Sequence, residues 1–167
     1  MYNNLLKLIL IFSLSSCGFR PVYKADSYDN SCLSLIEIEP ISSIAGAELY
    51  HKLSTMIPAS KNTKYLLKII ATNSEIPLAM QKNSDVIRQI IYQTLQYQLI
   101  DKETGKIVKI EKINRTSSYN TVLSAYATNV ESEKTLENLT RFVAEEIRTR
   151  LILYFNNTNC KSAIGMK

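Results

Sequence analysis

Histidine and glycine are scarce in this chain, and no apolar run reaches membrane-spanning length. There is one histidine, His51, and there are four glycines. Nucleophilic catalysis through a histidine needs that base held against a nucleophile and oriented by a third group. Nothing marks His51 for that role, and it reads as a surface or partly packed helix residue. So few glycines leave no Gly-rich loop to cradle phosphate. The acidic residues are scattered. Glu145 and Glu146 are adjacent, and neighbours on a helix point about 100° apart, which suits no carboxylate dyad. No His/Cys/Asp/Glu group has the spacing of a metal site. Basic residues do not interleave with aromatics as in nucleic-acid binders. The expectation is a protein without catalytic residues, resident metal or nucleic-acid partner, and not an enzyme.

The N-terminus carries the strongest local pattern. Lys7 precedes the apolar stretch Leu8–Leu14, small residues Ser15 and Ser16 follow, and then come Cys17 and Gly18. A positive start, a short apolar segment and small residues are the parts of a secretory signal. A spanning helix needs about 20 apolar residues, and this run is too short. Leu14-Ser15-Ser16-Cys17 has the form of a bacterial lipobox. The expectation is export, cleavage after residue 16 and lipidation of Cys17, with a generic signal peptide as the alternative. A single acyl chain anchors only marginally, at about 0.8 kcal/mol per buried CH₂. The several chains on a lipoprotein cysteine should hold the body at a membrane permanently. That covalent lipid is the only cofactor expected.

Removing the signal leaves a length that suits one domain. Hydrophobic content of 46% is that of a globular chain. The net charge of +5 falls to +4 with Lys7 removed. The expected division is signal peptide 1–16, lipidated tether 17–31, one domain 32–160 and tail 161–167.

Alternation over Leu33–Ile41 predicts a first strand, with Pro40 near its end. Ser42-Ser43 is an N-cap site for a helix carrying Ala45, Leu49, Leu53, Met56 and Ile57, stopped by Pro58. Tyr65, Leu67, Ile69 and Ala71 share one side of a second strand, expected to end at Pro77 and to be followed by a polar connection over 78–85. Residues 86–100 fit either a helix or a strand. Their β-branched and tyrosine content favours one long strand. Asp101–Gly105 is a hairpin turn. The returning strand runs from Ile107 towards Tyr119, and its pattern slips between Ile110 and Ile113, which predicts a β-bulge there. After a loop at 120–131, a helix begins near Ser132 with the stripe Leu136, Leu139, Val143, Ile147, Leu151 and Tyr154. Glu131 and Glu133 near its start, and Arg148 and Arg150 near its end, would complement the helix dipole. The expected fold is α+β: two helices on one face of a roughly four-stranded mixed sheet, in the order β-α-β-β-β-α.

Lys64, Lys68, Arg88, Lys109, Lys112 and Arg115 fall on the expected sheet face and edges. They suit either phosphate contact or solubility and edge protection.

Four stretches resemble one family. Cys17-Gly18-Phe19-Arg20-Pro21-Val22-Tyr23 is similar to the mature start of the alphaproteobacterial lipopolysaccharide-assembly lipoprotein LptE. Leu99–Lys106, Ser118–Ala127 and Ala144–Leu151 resemble that family's hairpin, its loop before the last helix and the last helix itself. The resemblance implies an outer-membrane lipoprotein on the periplasmic face. It would plug and support assembly of the LptD β-barrel and assist lipopolysaccharide delivery to the outer leaflet. Gly18 after Cys17 fits outer-membrane sorting. Arg88 is the nearest match to the family's basic lipopolysaccharide contact, and Arg115 is a second candidate from its place on the sheet. An auxiliary lipoprotein of another envelope lipid-transport system is the alternative function.

With Cys17 assigned to lipid, Cys32 and Cys160 remain as a pair in an oxidising compartment. They are either bridged or two free thiols. The bridge predicts that the exported protein gains the mass of two hydrogen atoms on reduction. An unchanged mass would remove it.

Overall fold

The computed structural model describes residues 32–58, 60–80 and 86–158. The expected signal peptide, the tether with Cys17, the tail and Cys160 lie outside the described residues. In chain order the elements are strand β1 (Ile36–Ile38), helix α1 (Ile44–Met56), strands β2 (Tyr65–Met80), β3 (Val86–Asp101) and β4 (Ile107–Asn120), and helix α2 (Ala125–Asn157). The four strands form one sheet in the order β1-β2-β3-β4. β1 runs parallel to β2, and β2–β3 and β3–β4 are antiparallel. This is the mixed α+β sheet expected, with both helices on one face.

Period-two alternation decides which face they cover. On β3, Ile91, Leu95, Tyr97 and Leu99 are fully buried. Leu67, Ile69 and Ala71 of β2 and Ile113 of β4 lie beside them in register. Leu49 and Leu53 of α1 and Val143, Ile147 and Leu151 of α2 close over this layer in a single cluster. The apolar stripe of α2 therefore packs where its spacing placed it. Residues 86–100 are strand, because only period two buries alternate residues between two neighbouring strands.

The turns follow from local chemistry. Ser43 caps α1, its Oγ accepting from the Gly46 N–H at 3.0 Å. At the β3–β4 hairpin, Asp101 Oδ1 accepts from the N–H groups of Glu103 and Thr104 at 3.0 and 2.9 Å. Gly105 takes φ +67°, a left-handed conformation that glycine adopts without strain. Cys32 is buried and disulfide-bonded, and its partner lies outside the described residues.

Four local expectations are corrected. The first strand is shorter than Leu33–Ile41. Cys32 and Leu33 form a helical turn, with the Leu35 N–H donating to Cys32 O at 3.2 Å, and this turn puts Leu33 in the core. β2 continues past Pro77 to Met80, with its irregularities at Pro77/Ala79 and Ala79/Met80, so residues 78–80 belong to the strand and not to the expected connection. No bulge separates Ile110 from Ile113. The register is continuous there and shifts instead at Leu99/Ile100. Ile113 faces the core and Ile110 is 54% exposed on the opposite face. An exposed isoleucine mimicked a slip in the pattern.

Finally, α2 begins at Ala125, not near Ser132. Its first turns carry no core residue and so left no stripe to read. They are held by polar contacts: Ser124 Oγ accepts from the Ala127 N–H at 3.3 Å, and Thr128 Oγ1 accepts from the Val122 N–H at 3.0 Å. Glu131 and Glu133 consequently lie beyond the first turn, and Arg148 and Arg150 before the last, and neither of those turns carries a matching charge. The dipole effect fades within one turn, so these residues do not serve it.

Gly46 supplies a test of the β1–α1 corner. A Cβ there would lie 2.1 Å from Ile41 Cγ2. Alanine normally favours a helix over glycine by about 1 kcal/mol, but here overpacking should dominate. Gly46→Ala is expected to destabilise by about 1–3 kcal/mol in urea unfolding. A more stable variant would show that the corner yields.

Candidate functional site

Burying one face of the sheet leaves the other uncovered. Its residues are the alternate set: Lys68, Ile70, Thr72 and Ser74 on β2, Tyr92, Thr94, Gln96 and Gln98 on β3, and Ile110, Lys112, Asn114 and Thr116 on β4, paired row by row. Hydroxyls and side-chain amides are the largest group, with Ile70, Tyr92 and Ile110, and the flanking pair Ile76 and Ile90, as apolar members. A shallow concavity of about 530 Å³ lies over Tyr92, Thr94, Lys112, Asn114 and Thr116, reaching Arg115. The face can present hydrogen-bond donors and acceptors over a wide, rigid area. Among the described residues, no group of His, Cys, Asp and Glu could hold a metal ion. His51 is exposed on α1 beside the Tyr50 ring.

The predicted basic residues divide between the two faces. Lys68, Arg88 and Lys112 fall on the uncovered face. Arg88 pairs with Asn120 in register, and its Nε donates to Ser118 Oγ at 3.2 Å. Arg115 lies opposite Gln93 on the helix side and is ion-paired to Glu146 of α2 at 2.7 Å. Arg88 and Arg115 are thus not brought together. Lys64 sits before β2, its ammonium 5.8 Å from the Tyr65 ring centroid. Lys109 pairs with Glu111 and lies over the Tyr154 ring of α2.

These contacts belong to a charged clamp between β4 and α2. Arg150 donates to Glu111 and to Glu146, each at 2.6 Å. The buried Tyr97 hydroxyl donates to Glu111 at 3.0 Å. Burial by itself raises the Glu111 carboxyl. Hydrogen bonds from Lys109, Arg150 and Tyr97 outweigh it and hold that carboxyl at about 2. Burial, with the hydrogen bond to Glu111, pushes the Tyr97 hydroxyl well above its usual range. The clamp was not legible in the sequence, since its members are far apart in the chain. The spacing of Glu146 and Arg150, four apart on one helix, was the only local signal.

A second polar layer lies deeper. Gln93, fully buried, donates through Nε2 to Thr140 Oγ1 at 3.2 Å. It separates the main core from a smaller cluster of Ile91, Tyr119 and Leu139. Beyond that cluster, Glu75 accepts from Tyr119 and from Ser132, both at 3.0 Å, and ties the start of α2 to the sheet.

A helix-backed sheet with these connections is the fold of a group of bacterial lipoproteins. It superposes on a candidate lipoprotein of Caulobacter crescentus CB15 with a TM-score of 0.63 at 17% identity, over 77% of this chain and 96% of that one. It also matches lipoprotein B of Nitrosomonas europaea (TM-score 0.57, 14% identity, 72% and 82% covered) and rare lipoprotein B of Shewanella oneidensis (0.52, 13%, 77% and 96%). At these identities the likeness is one of fold. No family model matches the chain. The chain belongs to the family of the uncharacterized protein RP188 of Rickettsia prowazekii (strain Madrid E), to which it is 43% identical over 148 residues, 89% of this chain and 94% of that protein.

The clamp predicts a pH dependence. Glu111 titrates below its ordinary value in the folded protein, so its stabilisation is complete above about pH 4.3 and is lost as the pH falls towards 2. Glu111→Gln should cost about 1–3 kcal/mol at neutral pH and flatten the stability profile between pH 5 and 2. Urea unfolding across that range measures both. An unchanged profile would mean that Glu111 is not held by the clamp.

Proposed function

We propose that the protein is an LptE-type lipoprotein. Anchored through lipid on Cys17 at the periplasmic face of the outer membrane, it plugs an LptD-type β-barrel, supports that barrel's assembly and assists delivery of lipopolysaccharide to the outer leaflet. The observation that carries this reading is the uncovered sheet face, broad and rich in hydroxyl and amide groups. A barrel interior is polar and wet, and such a face complements it without catalytic groups. No helix of the described residues is long and apolar enough to cross a membrane. The lipoprotein fold of the structural relatives and the resemblance of Cys17–Tyr23 to the LptE mature start support the same reading. The body needs no cofactor beyond its lipid, works without enzymatic turnover and does not engage nucleic acid.

Lipopolysaccharide offers phosphates, and a guanidinium binds them through paired hydrogen bonds. Arg88 is the first candidate because its contact is an exposed hydroxyl, Ser118. Arg115 is the second, and it must leave Glu146 to serve.

Co-purification from detergent-solubilised envelopes tests the assignment. Tagged wild-type protein is expected to bring down a large β-barrel, and its depletion to lower surface lipopolysaccharide. The absence of both effects would refute the plug. Cys17→Ala should release the body from membranes that lack the barrel. Arg88→Glu should weaken lipopolysaccharide binding about tenfold with unfolding unchanged. Unaltered binding would assign Arg88 to solubility.

A further inference from the structure

Among the described residues, the outer edge of β2 is unpaired for most of its length. The Tyr65 N–H donates to Leu35 O, and Leu67 O accepts from the Glu39 N–H at 3.0 Å. Tyr65 and Leu67 therefore turn their backbone groups towards β1. Backbone direction alternates along a strand, so Ile69, Ala71, Asn73 and Glu75 turn theirs the same way. β1 pairs only with Tyr65–Leu67, and the chain then leaves the sheet at Pro40. No strand among the described residues continues its line. In its place is a cleft of about 370 Å³ lined by Glu39, Pro40, Ile41, Ser43, Lys68 and Ala71. Pro77 closes the other end. Proline is tolerated where its missing N–H faces an edge, and residue 77 shares that orientation.

The sheet's two edges are guarded differently. Natural edges are blunted by lysine and other charges. β4 carries Lys109, Lys112 and Arg115, two of them engaged with Glu111 and Glu146. β2 has no charge from Ile69 to Ser74, and the Glu75 carboxylate is taken by Tyr119 and Ser132. An unguarded run of this kind is a template for strand addition.

We propose that an extended, uncharged segment of the barrel partner pairs with Ile69–Glu75 as an added strand in the line of β1. This rests on the function proposed above and names the contact within it. Its side chains on the uncovered face would meet Ile70, Thr72 and Ser74, which favours β-branched and hydroxyl residues. A second copy of β2 fits less well. Antiparallel pairing centred on Thr72 sets Lys68 against the other copy's Ile76, and the strand continuing to Met80 would then occupy the place of β1.

Ala71→Pro removes an outward N–H and leaves the β3 ladder intact, so the domain should fold. Wild type and variant are compared in the tagged co-purification, and amide exchange is followed in the full chain with and without the barrel. The expected result is a loss of recovered barrel of at least about tenfold in the variant, with Ala71, Asn73 and Glu75 amides exchanging freely alone and slowly in the complex. Equal recovery with a folded variant overturns the added strand and leaves the plug standing. No barrel with wild type overturns both. If the variant does not fold, wild-type exchange decides: unchanged rates on barrel binding reject the proposal. Protection of those amides in the isolated chain would assign the edge to the protein's own terminal segment. Concentration-dependent dimerisation lost in Ala71→Pro would assign it to a second copy. Either outcome overturns the proposal.

Discussion

The packing of α2 against the alternate residues of β3 is the constraint from which the rest follows. Ile91, Gln93, Leu95, Tyr97 and Leu99 are all fully buried on one face of the central strand, and α2 lays its stripe along them. A slip of one residue would turn every one of them to the other face, so the register of the whole sheet is tied to this contact. β2 and β4 inherit it through their pairing with β3. The hydroxyl- and amide-rich face opposite is its complement, since whatever alternates with a buried set is left uncovered.

Polar contacts then set where the helix lies along that stripe. Near its C-terminal half, Arg150 spans Glu111 and Glu146 and fixes α2 to β4. In its middle, Gln93 meets Thr140 below the surface. At its start, Glu75 gathers Tyr119 and Ser132. Buried polar pairs are poor evidence of stability by themselves. Here one buried pair, Gln93–Thr140, is joined by part-buried and exposed contacts at two further heights along the same helix, and together they favour one angle of the helix on the sheet. The result is a body stiff enough to hold a flat polar face.

The fold was legible wherever a period carried through. Leu49 and Leu53, the alternation of Tyr65–Ala71, and Leu139 through Leu151 each pointed to a buried face, and each is buried. It was not legible where polar contacts replaced apolar ones. The first turns of α2 rest on Ser124, Thr128 and Ser132, so the helix seemed to begin later. It was also obscured where an apolar residue faces outward, as Ile110 does. The arrangement of the basic residues was not legible. The basic residues could be named, but strand register decides that Arg88 and Arg115 lie on opposite faces, and register is a property of partners distant in the chain. The clamp of Tyr97, Glu111 and Arg150 had the same obstacle.

The proposed plug sets the uncovered face of the sheet against the polar interior of the barrel. Photo-crosslinking in living cells tests it most directly, with the crosslinker placed in turn at Gln96 in the middle of that face and at Thr149 on the exposed side of α2. A crosslink from Gln96 to a single large outer-membrane barrel is expected. Its absence from Gln96, and from Thr94 and Asn114 beside it, in cells where Thr149 does crosslink, would contradict the claim and place the contact on the helices.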